Sequence, residues 1–229
     1  MLKIKLVLND KEYNNFKKYS NYNYDVNAII SDDIYKHYRI KMEDIKNIYI
    51  PLIESDIFIS YSHDDSEKAK LLANELQKYE LKTFVDCLYW KSIDDALKQY
   101  DNLYSLSDDC SSSKTYNYEK RNKSTSTFHM ILADSLIDII EKSDVYIMLY
   151  SENYMNDDKR TYSPWIYLEN KVTKSFENEW KHMNRLIRDS ICENYAISFP
   201  IDDNDFLVIK SFQSLIQVLK KYYDYKKDR

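Results

Sequence analysis

From residue 55 onward, short apolar runs alternate with longer stretches whose apolar residues recur at three- and four-residue spacing, the mark of alternating strands and helices. Ile57-Phe-Ile59 predicts a short buried strand. Ala69, Leu72, Ala73, Leu76 and Tyr79 keep helical spacing after it, with Asp64 and Asp65 as the expected caps. Lys82–Asp86 predicts a second strand. Ser92, followed three residues later by Asp95, resembles a capping box that opens a helix with Ile93, Ala96, Leu97 and Tyr100 on one side. His129, Leu132, Ala133, Leu136 and Ile140 align over 128–141, and Val145–Tyr150 is the clearest central strand. A helix opening at Ser163 follows, then a helix over 177–192, a strand at Tyr195–Phe199, a short edge strand at Phe206–Ile209 and a terminal helix from 209 to 224.

Two regions break this rhythm. Leu2–Leu8 alternates like a strand, but Asn9–Asn27 is polar and tyrosine-rich, and only a short helix near 41–46 and the apolar run Ile48–Ile53 follow. Residues 1–54 are therefore read as an N-terminal extension packed on a main domain of residues 55–229. Residues 105–127, rich in Ser, Asp, Lys and Asn, are read as a long inserted loop, and loops of that length in compact domains are functional or disordered. The alternation itself predicts an α/β architecture: a mainly parallel sheet with helices on both faces. Ligands of such sheets bind beyond the carboxyl ends of the strands. That edge should collect Ser60–Asp65, Asp86–Ser92 and Ser151–Glu169.

Composition narrows the function classes. With 33 Lys plus Arg against 38 Asp plus Glu, the net charge of −5 gives no reason to expect a nucleic-acid partner. No apolar run approaches a membrane span and no signal peptide follows Met1, so a soluble, cytoplasmic protein without a membrane partner is expected. Cys87, Cys110 and Cys192, and His37, His63, His129 and His182, share no metal-like spacing, so neither a disulfide framework nor a metal site is expected. Glycine is absent, which excludes the glycine-dependent phosphate loops and leaves side chains and helix termini to hold any nucleotide. Asn and Asp are expected to supply the turns.

The candidate chemistry lies in Ser163-Pro-Trp-Ile-Tyr-Leu-Glu169. Ser163 suits an N-cap and Pro164 the first helical position, so Trp165 and Glu169 share one helix face. A carboxylate beside a large aromatic can receive a flat cationic ring and its sugar. This segment resembles the part of enzymatic TIR (Toll/interleukin-1 receptor) domains that carries the catalytic glutamate, and Asp56-Ile-Phe-Ile-Ser-Tyr-Ser-His-Asp-Asp65 resembles the first-strand box of the same family. The similarity covers roughly residues 55–209. Its middle segments (Tyr89–Asp95, Tyr118–Ser126 and His129-Met) look more like bacterial stand-alone TIR proteins, including those of Thoeris-type antiphage defence, than like animal receptor domains.

The resemblance implies a flavodoxin-like fold and cleavage of the nicotinamide–ribose bond of NAD, which is a substrate rather than a bound cofactor. It also implies self-association through TIR surfaces and a partner effector that responds to the nucleotide product. Glu169 falls on the family's catalytic acid, Ser60–Ser62 on the loop after the first strand, and Asp86–Ser92 on the BB loop. That BB segment has no glycine or proline, and the 105–127 insertion is unlike minimal TIR domains.

Nicotinamide in NAD is a cationic leaving group, so the barrier lies in positive charge developing at the ribose. One carboxylate beneath that sugar can stabilise it. Tyr61 and Trp90 are candidates to stack on a substrate ring, Ser60 and Ser62 to bind phosphate oxygens, and Asp86 and His129 complete the candidate set. Each has a plainer competitor. Trp165, a candidate wall of the substrate pocket, is equally a core residue, Asp86 a turn cap, and His129, on an otherwise apolar face, a hydrogen-bonded core histidine. Attack by water gives linear ADP-ribose and attack by an atom of the nucleotide gives a cyclic product; a lid at 105–127 would favour the second. The competing functions are a non-enzymatic TIR interaction module and a nucleoside deoxyribosyltransferase-like enzyme.

Overall fold

The computed structural model describes residues 1–19, 42, 45–46, 54–107, 115–176 and 199–227. The chain divides into two units: Met1–Tyr22 with Glu54–Val85 and Ile140–Arg229, and Asn23–Ile53 with Asp86–Ile139. The first holds the sheet. Its strands are β1 (Leu2–Leu6), β2 (Ile57–Ser60), β3 (Thr83–Phe84), β4 (Val145–Leu149) and β7 (Leu207–Ile209), in the order β3-β2-β4-β1-β7. All neighbours run parallel. A separate two-stranded antiparallel ribbon pairs β5 (Arg160–Thr161) with β6 (Phe199–Pro200). The sheet is flanked by helices, as the alternation predicts. The order β3-β2-β4 reproduces the 2-1-3 start of a flavodoxin-like sheet, whose switch point lies between the strands here called β2 and β4.

The fourth position departs from sequence expectation. It is filled by β1 from the start of the chain, between β4 and β7. Residues 2–19 are thus an integral strand and helix (α1, Asp10–Tyr19), not an extension resting on the outside. Central parallel strands normally read as continuous apolar runs. Lys3 and Lys5 disguise β1, yet Lys3 is only 2% exposed. The apolar run at 48–53 and the helix over 177–192 lie outside the described residues, as does most of the strand expected at 195–199.

Register sorts the sheet into two unlike faces, because successive side chains point opposite ways. On one face Ile57, Val145 and Leu2 stand in a row, then Ile59, Ile147, Ile4 and Leu207, then Leu149, Leu6 and Ile209. The other face carries Phe84, Phe58, Tyr146 and Lys3 in one row and Ser60, Met148, Lys5 and Val208 in the next. The aromatic row is stacked, with ring centroids 5.4 Å apart for Phe58–Phe84 and 5.6 Å for Phe58–Tyr146. Phe206 meets Tyr146 edge-on at 5.9 Å.

Helix α2 (Ser66–Gln77) follows β2 through a short 3-10 turn, His63–Asp65, and buries Ala69, Leu72, Ala73 and Leu76 as the spacing predicts, whereas Tyr79, expected on the same face, lies beyond the helix end and is exposed. Asp65 stands at its N-cap but makes no capping bond; its carboxylate is used elsewhere. Helix α6 (Phe212–Lys227) buries Leu215, Ile216, Leu219 and Tyr222, and its start meets α1 where Phe16 and Phe212 lie 5.0 Å apart. The turns are not supplied by Asn and Asp alone. Among the described residues the left-handed backbone positions are Glu80 (φ 62°) and Lys159 (φ 57°).

The second unit contains α3 (Cys87–Tyr104) and most of α4 (Tyr118–Lys142). Both begin earlier than the sequence suggests. Ser92 and Asp95 are interior to α3, so no capping box opens it, and the segment expected as a BB loop is helical from Cys87. Residues 118–127 form the first part of α4, so the expected loop and lid at 105–127 shrink to the connection between the helices. The described ends of that connection are bonded to each other: Asn117 N donates to Ser105 O at 2.7 Å and Ser107 N to Thr115 O at 2.9 Å. Polar composition misled because Asp101, only 3% exposed, accepts from Ser105 Oγ at 2.8 Å and from Ser124 Oγ. A Ser- and Asn-rich stretch can stay helical when its hydroxyls bind a buried carboxylate on a neighbouring helix. Lys46 Nζ bridges Asp134 at 2.6 Å and Asp138 at 2.5 Å in the same unit.

Candidate functional site

Helix α5 (Pro164–Lys174) opens as its sequence dictates. Ser163 is extended, its Oγ accepts from Ile166 N at 3.3 Å, and Pro164 takes the first turn, where no N–H is needed. The helix buries Ile166, Glu169, Asn170 and Thr173. This stripe has helical spacing, but three of its four members are polar. Burying such groups is unfavourable unless each finds a partner, and each does.

Glu169 is 4% exposed, and its Oε2 accepts from Ser60 Oγ at 2.5 Å. Ser60 is the last residue of β2, on the aromatic face of the sheet, so the carboxylate lies at the carboxyl end of the strand beside the switch point. Ser60 Oγ also lies 2.9 Å from Tyr154 Oη. Tyr146, on β4, brings a third hydroxyl near; it is felt by both Ser60 and Tyr154 but meets no hydrogen-bond geometry. Burial, and then the Glu169 carboxylate, push the Tyr154 phenol well above its ordinary value. Burial, Tyr154 and Glu169 do the same to Tyr146. Both phenols are therefore neutral, proton-bearing groups at physiological pH.

The segments around this core are tied together. Ser151, just after β4, donates its hydroxyl to Asp65 Oδ2 at 2.5 Å and accepts Tyr154 N at 3.1 Å. The turns leaving β2 and β4 are thereby joined across the switch point. Lys68 Nζ lies 2.9 Å from the other oxygen of Asp65. Asn170, next to the candidate acid, makes a two-point bond to the backbone of Asp202, donating to its carbonyl and accepting from its N–H, each at 3.2 Å. Asp203 takes Lys5 Nζ at 2.7 Å and Lys159 Nζ at 2.8 Å. Burial alone would raise the Asp203 pKa, but these two ammonium groups outweigh it and hold the carboxyl below its ordinary value. Lys5 also lies 4.1 Å from the centre of the Tyr150 ring.

Of the residues singled out from sequence, Ser60 and Glu169 are brought into direct contact. Tyr61 and Ser62 follow in the same turn and are both buried. Trp165 stands one helical turn before Glu169 and is partly exposed. Asp86, Trp90 and His129 belong to the second unit. His129 is exposed on α4, where Phe128, Ile131, Leu132, Leu136 and Ile139 make the buried face, so it is not the core histidine expected from spacing. Sequence reasoning missed Tyr146, Tyr154, Asn170 and the Asp65–Ser151 pair. A phenol in an otherwise aliphatic central strand, in phase with the serine that ends the neighbouring strand, was the available signal for Tyr146.

The arrangement offers a buried carboxylate that accepts from one hydroxyl, which is itself bonded to a second. Such a group can stabilise developing positive charge. Among the described residues no cluster of three or more His, Cys, Asp or Glu is arranged to hold a metal, and no helix is long and apolar enough to cross a membrane. No family model, no curated protein and no solved structure matches the chain.

Proposed function

We propose that this chain is a TIR-type enzyme that cleaves the nicotinamide–ribose bond of NAD, with Glu169 stabilising the cationic ribose, and that it generates an ADP-ribose-type signal, cyclic or linear, in antiphage defence. The observation that carries this reading is the contact of Glu169 with Ser60. It joins the two segments on which the TIR resemblance rests, at the strand end where ligands of such sheets bind. The strand order β3-β2-β4 supports the same reading. At 4% exposure Glu169 must become accessible before a dinucleotide reaches it, so activity should grow with whatever opens the site, self-association included.

The same burial favours a second reading, a non-enzymatic TIR-type interaction module in which Glu169 only holds α5 to the sheet. One experiment separates them. The purified chain is incubated with NAD over a range of protein concentrations, beside Glu169→Gln, and nicotinamide is followed by chromatography. The enzymatic reading expects release that falls about 10²–10³-fold in the variant. Equal release by both proteins, or none from the wild type at any concentration, would overturn it and leave the interaction module. Mass spectrometry of the nucleotide product then distinguishes linear from cyclic chemistry.

A further inference from the structure

We infer that Tyr154 is a positioning residue for Glu169, acting through Ser60; this rests on the enzymatic reading above. Ser60 has one hydroxyl proton and two lone pairs, and it has two close partners. In the ionised form that the proposed chemistry requires, the carboxylate only accepts, so the Ser60 proton points to Glu169 Oε2 across 2.5 Å. The contact to Tyr154 at 2.9 Å must then be donated by the phenol. The chain runs one way: Tyr154 O–H to Ser60 O–H to the Glu169 carboxylate. Each donated bond polarises the next, and a hydroxyl donating to a carboxylate is among the stronger bonds available to a protein.

The geometry fixes both ends. Ser60 and Tyr154 are 1% and 0% exposed, so no solvent competes for either hydroxyl. The Tyr154 backbone N–H is held by Ser151, which is itself bound to Asp65. The phenol therefore approaches Ser60 from an anchored turn, and Ser60 from the sheet. Together they hold one carboxylate oxygen in place and favour the ionised form that stabilising a ribosyl cation requires. Without the phenol, Ser60 is a poorer donor and the protonated acid gains.

Tyr154→Phe removes one oxygen and preserves the ring. With NAD as substrate, kcat should fall roughly tenfold, the equivalent of one hydrogen bond in a charged network, while KM changes less than about twofold. The acidic limb of the pH–rate profile should move upward by about one unit. Ser60→Ala should do the same more strongly, which keeps the inference testable if the tyrosine variant folds poorly. Carbon-13 NMR titration of the Glu169 carboxyl reads the same shift without turnover. An unchanged acidic limb in Tyr154→Phe, with wild type active and Glu169→Gln inactive, would overturn this inference alone. No nicotinamide from the wild type would remove the enzymatic reading; the NMR titration would still decide whether the phenol supports the ionised carboxylate, and an unshifted Glu169 signal would overturn that.

Discussion

On one face of the sheet every register row of β1, β2 and β4 is aliphatic; on the other the rows combine Phe84, Phe58, Tyr146 and Lys3, then Ser60, Met148, Lys5 and Val208. The same strands supply both faces, so the difference is a matter of alternate residues only. The aliphatic face needs nothing but close packing. The other carries hydroxyls, ammonium groups and, through α5, a carboxylate; Lys5, Ser60, Tyr154 and Glu169 there have found partners, and the Tyr146 hydroxyl alone of this group makes no hydrogen bond. Aliphatic packing and polar contacts are thus separated across one layer of backbone, and a helix face rich in Glu, Asn and Thr is the complement of the second.

The contrast can be broken in order of size. Ile147→Ala, at a fully buried position on the aliphatic face, should cost about 2–4 kcal/mol by urea unfolding and leave any nucleotide chemistry intact. Asp203→Asn, beside the polar face, should cost about 2 kcal/mol, because Lys5 and Lys159 lose their shared anion. Its effect depends on pH in a defined direction. The folded carboxyl titrates below its unfolded value, so its contribution is complete above about pH 4 and disappears as pH falls through the folded value. Thermal melts of wild type should show that acid limb, and Asp203→Asn should flatten it. Tyr146→Phe should be the smallest, within about 1 kcal/mol of wild type, since the hydroxyl it removes makes no hydrogen bond. A loss comparable to Ile147→Ala would mean that Tyr146 belongs to the hydroxyl chain after all.

Sequence pattern was most reliable where periodicity and burial agree, as in β2, β4, α2 and the Ser163 start of α5. It failed where a polar residue is buried by a distant partner. Lys3 and Lys5 made β1 look like the half-exposed strand of an extension, because Asp203, which neutralises Lys5, lies 198 positions away. Ser124 made the start of α4 look like loop, because its carboxylate partner is on α3. For the site, the resemblance pointed to Glu169 and Ser60, and their contact is in the fold. Tyr154 escaped because its role follows from where its hydroxyl ends rather than from any spacing.

A chain without glycine must still reverse direction, and here Glu80 and Lys159 do so in left-handed backbone at roughly 1–2 kcal/mol each. That cost disfavours either corner as a folding seed. Each becomes favourable only after the elements it joins are docked: for Lys159, when its ammonium reaches Asp203 and its carbonyl receives Ile201 N at 2.7 Å. These two bends are therefore expected to close after the layers they join, so that substitutions there change the unfolding rate more than the folding rate.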